Sequence, residues 1–125
     1  MEENKYIPGV CNIGREEAKQ RKLAGIIGFI VTVITFFLLT FYNAVNSLKL
    51  IVIIPAVVSA MGFLQARAHF CVFYGLGSFF NFDSIGKKNK VEDDEFKIKD
   101  KMKSLRIMFY SLLIGFIIGI AAIII

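Results

Sequence analysis

Residues 23–42, LAGIIGFIVTVITFFLLTFY, run for twenty positions without a charged side chain. As an α-helix this stretch rises about 30 Å, the thickness of a bilayer's hydrocarbon core. Lipid offers no water to satisfy backbone N–H and C=O groups, so helix is the conformation open to it there. Two more apolar runs repeat the constraint: 50–66, LIVIIPAVVSAMGFLQA, which contains Pro55, and 107–125, IMFYSLLIGFIIGIAAIII. The chain is 56% hydrophobic with a mean hydropathy of +0.64, too apolar for an ordinary soluble domain. The first run exceeds a signal-peptide core and no A-x-A-like site follows it, so a retained membrane helix is expected. The expected fold is all-α, a single membrane domain over 1–125 forming a three-helix bundle. Its spans are 23–42, 50–66 (the helix extending toward Tyr74) and 107–125.

The basic residues set an orientation. Five Lys or Arg precede the first span (Lys5, Arg15, Lys19, Arg21, Lys22), the 43–49 connection has Lys49 alone, and nine lie between Arg67 and Arg106. The positive-inside rule places the N-terminus and the 67–106 segment in the cytoplasm, and the short connection and C-terminus outside. That short connection makes the first two spans an antiparallel hairpin. The net charge of +5 gathers beside apolar runs, which points to anionic headgroups rather than nucleic acid. Arg67, Lys87, Lys88 and Lys90 are the expected headgroup or partner contacts.

Local signals fill in the ends. Asn12 can cap the first helix, Glu16 and Glu17 suit its early turns, and Glu17–Arg21 is a favourable i,i+4 pair on an exposed turn. In VEDDEFKIKDKMKSLRIMF, acids precede bases as a helix favours, and Ile98, Met102, Leu105 and Phe109 recur at helical spacing. The segment is either a solvated helix face or an amphipathic ramp on the headgroups. Phe70 to Phe82, broken by Gly75 and Gly77, reads as an aromatic segment at the interface. Pro55 should kink the second helix by releasing the Ile51 carbonyl.

Helices associate in lipid through small residues that let backbones approach. Ala24 and Gly28 (with Thr32), Ala56 and Ala60, and Ser111, Gly115 and Gly119 give each span such a face. These faces fit packing within one bundle, or a homo-oligomer through the GxxxG of the third span.

Chemistry concentrates in QARAHFC, 65–71, which holds the only histidine and one of two cysteines. No ionisable residue lies well inside a span, which argues against proton-coupled transport. HExxH, Walker and paired CxxC motifs are absent. Were the second helix to continue to Tyr74, Gln65 and His69 would share one face, and Arg67 and Cys71 another. Cys11, His69 and Cys71 could then converge near one interface and suit zinc or another soft transition metal, with Asp83 or water as fourth ligand. Against this, Arg67 and His69 can snorkel to phosphates and Cys71 can serve as a small buried hydrophobe. A cytoplasmic setting disfavours a Cys11–Cys71 disulfide.

CNIG at 11–14, GFLQARAHFC at 62–71 and FNF at 80–82 resemble a pattern in small uncharacterised bacterial multi-span membrane proteins. The resemblance covers the first two-thirds of the chain and brings no activity with it. It implies a bacterial cytoplasmic membrane, and that CNIG and HFC belong to one structural unit. The leading expectation is a non-enzymatic membrane protein acting as an accessory or scaffold subunit, with no resident cofactor. Its partners are the bilayer, a membrane protein or a second copy. A metal or redox protein using Cys11, His69 and Cys71, and an oligomeric small-molecule transporter or channel, are the alternatives.

Overall fold

A computed structural model describes residues 6–82 and 86–125. Lys5 and Asp83, used above for orientation and as a possible ligand, lie outside the described residues. The chain is mostly helical: α1 (Arg15–Phe41), α2 (Asn46–Lys49), a 3₁₀ turn (Leu50–Val52), α3 (Ile53–Ala68), α4 (Val72–Gly77) and α5 (Asp94–Ile124). A two-stranded antiparallel sheet pairs β1 (Phe79–Phe80) with β2 (Asn89–Lys90). Three helical stretches, Arg15–Phe41, Asn46–Ala68 and Asp94–Ile124, are long and apolar enough to cross a membrane.

The ends of the helices follow from local chemistry. α1 ends where Asn43 takes a left-handed conformation (φ 51°). Asn43 N then donates to Thr40 O and Ala44 N to Leu39 O. α3 ends the same way: His69 is left-handed (φ 51°), His69 N donates to Ala66 O and Phe70 N to Gln65 O. This paired closure satisfies carbonyls that a helix end would orphan, and normally falls to glycine or asparagine. It corrects the expected helix to Tyr74. The chain reverses at His69, so Gln65 and His69 do not share a helical face, nor do Arg67 and Cys71.

Pro55 is the third residue of α3, and the α-helical ladder gives way to a 3₁₀ turn at Leu50–Val52 just before it, where a missing N–H is tolerated. α5 starts on Asp93, whose Oδ1 accepts from Glu95 N (2.9 Å) and Phe96 N (3.3 Å). The charged lead-in and the third apolar run form one helix of 31 residues, about 46 Å long. No inward bend separates a ramp from a span.

α3 packs against α1 on one side and α5 on the other, while α1 and α5 scarcely touch. The three long helices therefore stand in a row with α3 at its centre. Glycine decides how close they come. A Cβ at Gly62 would lie 2.6 Å from Gly25 N and 2.8 Å from Arg21 O, and one at Gly28 would lie 2.9 Å from Ser59 N. Ser59 Oγ donates to Gly25 O across this contact (2.9 Å). On the other side, Gly115 and Gly119 face Val57 and Ile53. Gly28, Ala56, Ala60, Ser111, Gly115 and Gly119 are buried within the chain. Ala24 is exposed on α1, and Gly25 makes the contact with Gly62 one residue on.

The outward faces are apolar. Phe29, Phe37, Phe41, Phe109, Phe116 and Ile117 are each more than half exposed. The Ile98, Met102, Leu105 and Phe109 stripe also points outward, at 59, 59, 58 and 61% exposure. The buried face of α5 runs instead through Asp100, Ser104, Ile107 and Ser111. Polar side chains inside and apolar ones outside invert the pattern of a water-soluble helix.

Candidate functional site

Among the described residues, those outside the long helices, apart from the 42–52 hairpin, gather at one end of the row. This cap brings together the arm before α1, the reversal at His69, α4, the small sheet and the start of α5.

The arm begins with a tight turn. Val10 N donates to Ile7 O (3.0 Å), Pro8 fits its second position, and Gly9 supplies the positive φ (70°) at its third. Gly9 N donates to Asp100 Oδ1 (2.8 Å) and Tyr6 Oη to Asp100 Oδ2 (2.7 Å). Asp100 is fully buried, so this carboxylate ties the arm to α5. Burial, then the Asp100 bond and charge, raise the Tyr6 hydroxyl far above an ordinary tyrosine.

Next the arm passes between two other segments. Asn12 N and Ile13 N both donate to His69 O (3.0 and 3.2 Å), Gly14 N to Asn81 O (2.8 Å), and Asn81 N to Asn12 O (2.8 Å). Ile13 and Asn81 form a parallel bridge. The Asn12 side chain closes the unit, donating through Nδ2 to Cys71 O (3.2 Å) while Oδ1 accepts from Cys71 N (2.7 Å). Asn12 therefore does not cap α1. The N-cap is Gly14, with no side-chain bond. CNIG, HFC and FNF are one hydrogen-bonded unit.

Two more bonds fix α4. Gln65 Oε1 accepts from Val72 N (2.8 Å), and Ser104 Oγ donates to Val72 O (3.1 Å). Gly75 must be glycine here, because a Cβ would collide with Ser104 Oγ and the Phe70 ring. Phe70, Val72 and Ile107 form a small apolar core beneath, backed by Met61 and Leu64.

Charge lies beside this lattice. The expected Glu17–Arg21 pair forms at 3.2 Å, but Glu17 is buried rather than on an exposed turn. Glu17 Oε1 also accepts from Gly86 N (3.1 Å), in the connection between β1 and β2. Arg21 Nη2 reaches on to Cys71 Sγ (3.2 Å), a partner supplied by α1 rather than by Arg67. Burial, then the Glu17 charge, push the Tyr74 hydroxyl up.

Cys11 and Cys71 are buried and no disulfide joins them. Burial pushes the Cys11 thiol up. His69 is partly buried, and its Nδ1 has no hydrogen-bond partner among the described residues. Bonds from Asn12, next to Cys11, to His69 O and to the Cys71 backbone hold these positions in one unit. Among the described residues, no three His, Cys, Asp or Glu side chains group closely enough to hold a metal ion.

Arg67, Lys87, Lys88 and Lys90 are exposed, and Lys88 Nζ sits 4.5 Å from the centroid of the Phe79 ring. Sequence reasoning missed Asp100 and Asn81. The signal for Asp100 was a lone acid among Lys97, Lys99, Lys101 and Lys103, easily taken for one more surface charge. No family model matches this chain, and no curated protein or solved structure matches it at a significant level.

Proposed function

We propose that this chain is a three-span integral membrane protein of a bacterial cytoplasmic membrane, acting without catalysis as an accessory or scaffold subunit. The observation that carries the reading is the row of helices. Of the other two long helices α1 packs on α3 and scarcely touches α5, which leaves a broad apolar face along α1 for a neighbouring membrane helix. A shallow apolar groove between Ala24, Gly28 and Pro55 lies on that side, where small side chains allow close backbone approach.

The cap fits the same role. Its buried polar groups at Asn12, Gln65, Asp100 and Ser104 each hold another segment of chain. Such a lattice stiffens an anchor that presents Lys87, Lys88 and Lys90 on its surface. The uneven distribution of Lys and Arg favours a cytoplasmic cap and an outward hairpin.

The test is photo-cross-linking in native membranes from Ile27 and Val31 on the exposed face of α1, with Ile117 on α5 as control. An accessory subunit gives one discrete protein adduct, or a dimer of this chain, from the α1 positions. Adducts to lipid alone at every position would overturn the reading.

A further inference from the structure

The faces of α3 and α5 that flank the row's apolar cleft carry a second pattern. On α3, Ala56, Ala60 and Leu64 lead at helical spacing to Arg67. On α5, Ile118, Ile114 and Ile107 lead to Lys103 and Arg106. The apolar part is a cavity of about 430 Å³ with Ala56, Ser59 and Ala60 as its floor and Phe29 and Ile114 on its walls. A second hollow of about 340 Å³ shares Leu64 as a wall with the apolar one and is lined by Arg67, Lys103 and Arg106. A third hollow, which shares Phe63 as a wall with the apolar one, places Lys22 beside Arg67. No acidic residue lines any of the three. None of the described ion pairs involves these four cations.

Resting on the membrane-spanning reading above, we infer that this cleft binds one anionic phospholipid. Its phosphate sits among Arg67, Lys103 and Arg106, and an acyl chain lies over Ala56 and Ala60. Depth agrees with this occupant. From Arg67 to Ala56 is eleven residues, about 16 Å, against about 15 Å for one leaflet's hydrocarbon. Charge selects the headgroup: a zwitterionic lipid carries an ammonium that three clustered cations repel.

The experiment is native mass spectrometry of the full chain released from bilayers containing equal phosphatidylglycerol and phosphatidylcholine. Wild type should keep one phosphatidylglycerol in preference to phosphatidylcholine. Arg67→Gln should cut that preference about fivefold and Lys103→Gln/Arg106→Gln about 25-fold, at roughly a fivefold factor per basic side chain. The charge-keeping triple variant Arg67→Lys/Lys103→Arg/Arg106→Lys should retain it, which separates loss of charge from loss of fold. Replacing Lys87, Lys88 and Lys90 by Gln should leave it unchanged. Equal retention of the two lipids by wild type, or full retention by the charge-removing variants, overturns the inference. A chain that never enters the bilayer fails the membrane reading itself, and is recognised by its extraction in alkaline carbonate.

Discussion

Replacing Asn12 by Ala should open the cap, and the geometry gives the size of the effect. The Asn12 amide makes two buried bonds to the Cys71 backbone. They are not equivalent. Cys71 O also accepts from Gly75 N (2.9 Å), so it keeps a partner in the variant. Cys71 N has Asn12 Oδ1 as its acceptor and would be orphaned in a fully buried site. An orphaned buried N–H costs about 1–3 kcal/mol, and losing the second bond about 1 kcal/mol more. The total, about 2–4 kcal/mol, should fall on local opening of the HFC turn rather than on the long helices. Such a change raises the open population roughly 30-fold to 700-fold. The Cys71 thiol is fully buried in the closed cap, so its alkylation rate reports the open state. The assay is maleimide labelling of membranes in a Cys11→Ser background, with and without Asn12→Ala. A rate within threefold of the parent would refute the claim that this amide holds the turn.

Other perturbations follow from the same contacts. Gly62→Ala places a methyl against the backbone of Gly25 and Arg21, which no side-chain rotation relieves. It should lower the detergent unfolding midpoint by about 1–3 kcal/mol equivalent, and more than Gly119→Ala, which meets only the movable Ile53 side chain. At His69, left-handed backbone costs a non-glycine residue about 1–2 kcal/mol. His69→Gly should hold or raise the midpoint, whereas β-branched His69→Val should lower it. Tyr6 donates to Asp100 only while protonated. Its raised pKa makes its contribution complete below about pH 10, the unfolded value, and lost as pH rises beyond that. Hydrogen exchange at Gly9 should therefore accelerate above pH 10 beyond its intrinsic base catalysis, and Tyr6→Phe should remove the excess.

The three long apolar helices were legible because long runs without charge, twenty residues in the first, have few other conformations available. Within the chain Gly25 rather than Ala24 meets α3, because several small residues offered adjacent registers and only the approach of Gly62 distinguishes them. The cap was legible as composition but not as geometry. CNIG, HFC and FNF stood out, yet nothing local says that Asn12 bonds to Cys71 rather than capping the helix beside it. The end of α3 was misjudged because His69 fills a position that glycine usually marks. Asp100 was hidden by its lysine neighbours, and its burial depends on an arm more than ninety residues away.

The central claim is a chain that crosses the bilayer three times with its cap in the cytoplasm. It is tested most directly by single cysteines at opposite ends of the row, in a chain with Cys11 and Cys71 replaced by Ser. Ser47→Cys lies in α2 at the hairpin end, and Lys88→Cys lies in the cap. Both positions are exposed, so an impermeant maleimide can report their side. The account predicts labelling of Lys88→Cys only in inside-out vesicles and of Ser47→Cys only in right-side-out ones. Labelling of both from the same side would contradict it.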